Sequence, residues 1–306
     1  MTLLRAATRG SKLALIQTQR VIDALQKVCP GLSVEMQILR TQGDQQADAP
    51  LWKLEGSGFF TARLQQALLE GAADFAVHSF KDLPTQTPDG LCIAAVLERD
   101  FPEDVLLARR PIRNLQELPP SACVGTSSIR RQAQLLRRRP DVRVEPLRGN
   151  VETRLRKLQE GRYDAVILAR AGLERLGIHG WNGLILDPLD FLPAPAQGVI
   201  AVEILRENER LFELFQTIHH VPTAAAAQAE RRILARLHPG CHAPVGAYAA
   251  IENEQITLTA FASGPQGHPF LKERICGPVR NAVEWADCLA ERLIEQGALE
   301  ILKTNA

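Results

Sequence analysis

No stretch of this sequence stays apolar for the ~18 residues that a membrane-spanning helix needs, which excludes a helical transmembrane chain. Aromatic residues are scarce, at 5%, so there is little to stack against the bases of a single-stranded nucleic acid. None of the six cysteines forms a C-x-x-C pair, and only Cys241-His242 sets a cysteine beside a histidine. Neither a redox dithiol nor a zinc cluster is therefore written into the spacing, and no metal is expected. A disulfide framework is not expected in so long a chain with a full core, and reduced thiols in a cytoplasmic protein are. Large net charge is missing too: 36 basic and 35 acidic residues leave a formal +1.

That neutrality conceals an asymmetry. Between Cys123 and Arg175 stand 12 Arg and 1 Lys against 6 acidic residues, a local +7, so the rest of the chain carries −6. With 45% hydrophobic and 23% charged residues, the 306-residue chain is a globular protein of two or three domains. The first 22 residues lack acid and carry Arg5, Arg9, Lys12 and Arg20, as a transit peptide would. Residues 3–8, however, read as a strand feeding an apolar-periodic helix, so a folded start is expected.

Short apolar runs alternate with helical spacing through the first two-thirds, which predicts α/β architecture. Strands are expected at 3–8, 33–39, 74–78, 91–96, 122–125, 142–145, 164–169 and 199–204, with helices at 12–27, 59–70, 129–138 and 151–160. Residues 42–50 read as a polar loop. An internal echo links Glu70-Gly71-Ala72-Ala73-Asp74 with Glu160-Gly161-Arg162-Tyr163-Asp164: helix, glycine stop, then an aspartate opening a buried strand. It suggests two similar lobes facing across a cleft, although any α/β protein repeats such units. From about Val221 the pattern changes to an Ala-rich helix at 223–236, strands at 245–251, 255–261 and 270–276, and a helix at 281–296, a compact α+β domain.

Three constellations could carry chemistry. Thr8-Arg9-Gly10-Ser11 and Gly125-Thr126-Ser127-Ser128-Ile129-Arg130-Arg131 each join a strand to a helix. Such turns expose backbone N–H groups at the positive end of the helix, and arginine adds a planar fork for carboxylate or phosphate. With Arg148-Gly149-Asn150 and Arg154 they suggest an anion site, against ordinary capping with arginines on a solvated face. Val77-His78-Ser79-Phe80-Lys81-Asp82-Leu83-Pro84 runs from a strand end into a polar loop, where ligands bind in open α/β sheets. Lys81 and Asp82 are either a surface ion pair or a tuned acid–base group, and His78 alone reads as a packed histidine. Cys241 lies in a Pro/Gly turn, whereas Cys29, Cys92, Cys123, Cys276 and Cys288 read as small buried hydrophobes.

These segments, together with Leu147-Arg148-Gly149-Asn150-Val151, Ala171-Gly172-Leu173-Glu174-Arg175, Gln197-Gly198 and Gly240-Cys241-His242-Ala243-Pro244, occur in an order that resembles the porphobilinogen deaminase (hydroxymethylbilane synthase) family along essentially the whole chain. The resemblance implies two lobes like those of type II periplasmic binding proteins around a cleft, with a smaller α+β C-terminal domain. Their bounds would be 1–97 with 197–217, 103–192, and 221–306. It further implies a cytoplasmic monomer holding a dipyrromethane cofactor through a thioether to Cys241. Four porphobilinogen molecules would condense onto that primer with loss of ammonia, and hydrolysis would release hydroxymethylbilane for tetrapyrrole synthesis. Asp82 would stabilise the electrophilic pyrrole and move its protons. The polycarboxylate chain would be held by Arg9, Ser11, Gln17, Ser79 and Lys81, by Thr126, Ser127, Ser128, Arg130 and Arg131, and by Arg148, Gly149, Arg154, Arg175, Gln197 and Gly198. Two departures are notable: Ser57 stands where the family usually has lysine, and Ala196 where it usually has glycine.

Two other readings use the same residues. A non-catalytic carboxylate binder could be built on the two lobes, or Arg137-Arg138-Arg139 could form a nucleic-acid footprint; neither nucleic acid nor membrane is the expected partner.

Overall fold

The computed structural model describes residues 3–39, 61–237 and 243–303. The first sheet comprises β1 (Leu3–Arg9), β2 (Ser33–Leu39), β3 (Phe75–Ser79), β4 (Leu91–Val96) and β10 (Ile200–Leu205), in the order β2-β1-β3-β10-β4. The second comprises β5 (Asp104–Ala108), β6 (Cys123–Gly125), β7 (Arg143–Glu145), β8 (Ala165–Ala169) and β9 (Gly183–Leu186), in the order β7-β6-β8-β5-β9. In each, three parallel strands are followed by one antiparallel strand that comes from elsewhere in the chain, and a fifth pairs antiparallel with that one.

The sequence echo is a structural repeat. The Asp74 N–H donates to the Arg5 carbonyl at 2.8 Å, and its Oδ2 accepts from the Arg5 N–H at 2.7 Å. Asp164 repeats both bonds with Cys123, at 2.8 and 2.9 Å. Gly71 and Gly161, three residues earlier, turn the chain at φ of 66° and 77°, a conformation costly for a residue with Cβ. Each aspartate thus locks the start of one strand to the strand beside it.

Helices pack on these sheets where their periodicity dictates. In α1 (Lys12–Val28), Ser11 caps the Ala14 N–H and Val21, Ile22 and Leu25 form part of the buried stripe. The others are α2 (Ala62–Leu69), α3 (Ile129–Arg138), α4 (Val151–Gln159), α5 (Arg170–Arg175), α6 (Glu209–Gln216) and α7 (Val221–Leu237). After α7, strands β11 (Val245–Glu252), β12 (Gln255–Ser263) and β13 (Phe270–Pro278) form an antiparallel meander. Helices α8 (Ala282–Glu295) and α9 (Ala298–Lys303) complete its apolar core with α7 through Ile233, Leu258, Leu289 and Leu293.

The chain divides into two compact units, Met1–Asp100 with Gly198–Ala224, and Phe101–Gln197 with Ala225–Ala306. The three-stranded sheet belongs to the second. Within that unit Gln132 Nε2 donates to the Pro265 carbonyl at 3.3 Å, and the Arg137 guanidinium lies 4.2 Å from the Phe270 ring centroid.

Several elements differ from expectation. Strands β5 and β9 and helices α5, α6 and α9 are additional. Strand β5 begins in an acidic, proline-punctuated stretch that masks its buried Val105-Leu106-Leu107 run, and β9 has only four residues. Helix α2 starts at Ala62 rather than 59, and the expected 42–50 loop lies outside the described residues. Cys276 and Cys288 are exposed, contrary to the buried-hydrophobe reading, and Cys29 and Cys92 are only half-buried; Cys123 is buried. Cys276 alternates outward between buried Ile275 and Gly277 on the outer strand of its sheet.

Candidate functional site

In the first unit, the C-terminal end of β3 and the N-terminal end of α1 border a cavity of about 80 Å³. Arg9, Ser11, Gln17, Ser79 and Asp82 all line it, joined by Thr61 and His78. Gln17 is buried on the inner stripe of α1 and its amide donates to Ser79 Oγ at 2.8 Å. Asp82 ends a single 3₁₀ turn, Phe80–Asp82, anchored where the Phe80 N–H donates to the Val199 carbonyl at 3.0 Å. Buried Phe80 keeps that turn on the sheet, while Asp82 is exposed and Lys81 half-buried. An aspartate held on an anchored turn beside an arginine, hydroxyls and a helix N-terminus can bind a cationic group while its neighbours bind carboxylates. A larger hollow of about 380 Å³ beside Cys92 is lined by Arg206, Glu209, Phe212 and Glu213; its two acids to one base make it a poor polycarboxylate site.

In the second unit the parallel strands end in a comparable set of turns. Thr126 is buried and its Oγ1 accepts from the Ser128 N–H at 3.1 Å. Ser127 Oγ both donates to the Leu147 carbonyl and accepts from its N–H, at 2.9 and 3.0 Å, tying the turn after β6 to the turn after β7. Ser128 caps α3 and Asn150 caps α4. Arg154 Nε donates to the Gly149 carbonyl at 2.7 Å, which fixes the base of the Arg148-Gly149 loop. Arg148 and Arg154 are half-buried; Arg175, at the end of α5, is 8% exposed.

Arg130, Arg131 and Gln197 are placed differently: all three are buried and converge on Asp104, which is fully buried. Arg130 Nη2 reaches Asp104 Oδ2 at 2.8 Å, Arg131 Nη2 reaches Oδ1 at 2.7 Å, and Gln197 Nε2 donates to the same Oδ1 at 3.0 Å. Arg131 also donates to the Ile167 carbonyl and Arg130 to that of Leu192, so each pins distant chain segments together. Burial pushes the Arg130 guanidinium below its ordinary value, with Asp104 opposing. Sequence reasoning missed Asp104; its only signal was an acid immediately before an apolar run.

Ala196 holds a φ of 60°, and its N–H donates to Oε2 of the buried Glu230 at 2.7 Å; Gly198, two residues on, has φ 83°. Cys241 and Ser57 lie outside the described residues. Among Arg137, Arg138 and Arg139, the first covers Phe270, the second donates to the Gln134 and Asp190 carbonyls, and the third is paired with Asp141 and buried against the Leu115 carbonyl. These internal partners weigh against a nucleic-acid footprint.

Two family descriptions match the chain: "Porphobilinogen deaminase, dipyromethane cofactor binding domain" over residues 4–213, and "Porphobilinogen deaminase, C-terminal domain" over 224–295. The porphobilinogen deaminase of Brevibacillus brevis is 43% identical over 301 residues, covering 97% of this chain and 96% of that one. That of Maridesulfovibrio salexigens is 41% identical over 296 residues, with the same coverage. Among solved structures, the probable amino-acid ABC transporter extracellular-binding protein ytmK from Bacillus subtilis is similar at 11% identity and a TM-score of 0.44, over 71% of this chain and 90% of that one.

Proposed function

The chain belongs to the porphobilinogen deaminase family, and from that premise we propose that it performs the hydroxymethylbilane synthase reaction with Asp82 as its acid–base residue. The observation that carries this reading is the cavity of the first unit, where Asp82 meets Arg9, Ser11, Gln17 and Ser79. Porphobilinogen bears two carboxylates and an aminomethyl group on one pyrrole. Arg9 and the N–H groups at the start of α1 bind carboxylate, and Asp82 accepts a hydrogen bond from the pyrrole N–H. There Asp82 in its acid form delivers the proton that the leaving amine needs. The carboxylate so formed stabilises positive charge as ammonia departs and then takes the proton from the carbon that has formed the new bond, which restores the acid.

A dipyrromethane suits the donors of the second unit, because its four carboxylates call for planar, permanently charged partners. Arg148, Arg154 and Arg175 would hold it with the hydroxyls of Thr126, Ser127 and Ser128. Arg130 and Arg131 would act from behind, fixing the turn that carries those hydroxyls. Bound through Cys241, the group supplies a primer with a free pyrrole carbon to extend. The Cys241 thioether is a lasting tether, not a nucleophile renewed each turnover. Lobes at 1–97 with 197–217 and at 103–192, a domain at 221–306, a monomeric state and a cytoplasmic location complete the proposal. No helix among the described residues is long and apolar enough to cross a membrane.

Intact mass of the denatured protein, made with porphobilinogen present, tests the reading. Two linked pyrroles on the chain are expected, and none in Cys241→Ser. An unmodified wild-type mass, with no ammonia released from added porphobilinogen, would refute it.

A further inference from the structure

Strand β3 is fastened on both faces just before it delivers Asp82. On the α1 face, Ser79 bonds to Gln17. On the other face lie His78 and, from β10, Glu203: the register pairs His78 with Ala201 and Ala76 with Glu203, which puts the two side chains on one diagonal. His78 Nε2 stands 3.1 Å from Glu203 Oε2, with the side chains 3% and 1% exposed. The contact has ion-pair distance without hydrogen-bond alignment, and among the described residues neither atom has a hydrogen-bond partner. The other oxygen, Glu203 Oε1, accepts from Gln65 Nε2 of α2 at 3.0 Å. A chain Gln65–Glu203–His78 therefore runs through the buried side of the sheet and ends on a ring that lines the same cavity as Asp82.

A histidine and a carboxylate buried together gain little over an apolar pair of equal volume, so stability alone does not account for them. We propose that Glu203 is a positioning residue for Asp82, acting through His78, whose ring it holds at the wall of the Asp82 cavity. The inference rests on the proposed reaction and deepens it. His78 sits one residue before Ser79 and four before Asp82, so a shift of its ring is felt in the 3₁₀ turn that aims the carboxylate. Small displacements of a catalytic group lower the rate of chemistry more than they lower binding.

Wild type, Glu203→Gln, His78→Asn and the double variant, each made with porphobilinogen available, provide the test. The amide keeps the shape of the glutamate and changes what it can offer His78. Glu203→Gln is expected to carry the full cofactor mass and to keep KM within about twofold, while kcat falls about tenfold. Because both residues act on one element, the double variant should be no slower than the worse single variant. Ile204→Ala, on the same strand, should lower the melting temperature without that selective loss of kcat. Unchanged kcat in Glu203→Gln, or fully additive losses in the double variant, would overturn the inference alone. A wild type that releases no ammonia would overturn the functional reading and this inference with it. Should Glu203→Gln not fold, Gln65→Leu unfastens Glu203 from its far side; a lowered kcat at constant KM supports the role and an unchanged kcat overturns it.

Discussion

Arg131 lays its guanidinium along Asp104, placing both Nη2 and Nε on the single oxygen Oδ1 at 2.7 and 3.1 Å. Arg130 takes the other oxygen at 2.8 Å, so one buried carboxylate answers two buried cations. Gln197 completes the group within the second unit, its amide donating to Asp104 and to the Pro102 carbonyl.

Asp104→Ala is therefore expected to destabilise the second unit by about 3–5 kcal/mol, because it leaves guanidiniums buried without their counter-charge. Urea denaturation followed by circular dichroism measures this. Asp104→Asn, which keeps two polar atoms in place, should cost less. A loss in Asp104→Ala below about 1 kcal/mol would contradict the arrangement.

Asp82→Ala should leave the fold and the attached cofactor intact, since the side chain is exposed and on a one-turn segment held by backbone bonds. Turnover of porphobilinogen should fall by about 10²-fold or more. Asp82→Glu should retain a trace of activity. Ammonia release and intact mass, taken on the same sample, separate lost chemistry from lost cofactor.

The repeat was legible in the sequence, but its purpose was not. Aspartates 74 and 164 could be matched by their glycine-stop context, yet nothing in a linear string says that each bonds both peptide groups of a residue on the neighbouring strand. The short motifs around Arg9, Asp82 and Thr126 were readable because strand-to-helix turns have local rules of capping and small residues. Arg130 and Arg131 were readable as arginines and not as buried ones, because their counter-ion lies more than twenty residues away. Glu203 had no local signal at all: a lone acid in an apolar strand acquires meaning only when β3 is laid beside β10.

Ala196→Gly is expected to stabilise the protein by about 1 kcal/mol. An alanine at φ 60° carries left-handed strain that glycine avoids, partly offset by glycine's greater freedom in the unfolded chain. Differential scanning calorimetry would show a melting temperature raised by a few degrees. A lowered one would mean that the Glu230 bond to the Ala196 N–H is disturbed by the exchange.

His219 gives a pH dependence with a definite sign. Desolvation, aided by His220, pushes its imidazole below the ordinary 6.5, and its Nδ1 accepts from the Val96 N–H at 3.2 Å. The folded state therefore favours the neutral ring, and the unfolded state binds more protons as pH falls. The stability contributed by this site is fully present above about 6.5 and declines as pH drops through the lowered folded value. Urea midpoints at about pH 7.5 and 5.5 should differ less in His219→Gln than in wild type, and equal differences would count against this assignment.

The position of β10 also has a consequence for how the chain is made. In the first sheet β3 and β4 are not neighbours; Ile200–Leu205 lies between them and holds both by antiparallel bonds. During synthesis residues 1–96 therefore leave the ribosome with an open slot in the middle of their sheet. The slot stays open while the whole of the second sheet, from Asp104 to Leu186, is translated. The second sheet contains all five of its own strands and can close first. The nascent N-terminal strands must meanwhile wait with the edges of β3 and β4 unpaired, a state in which association with other chains competes with folding.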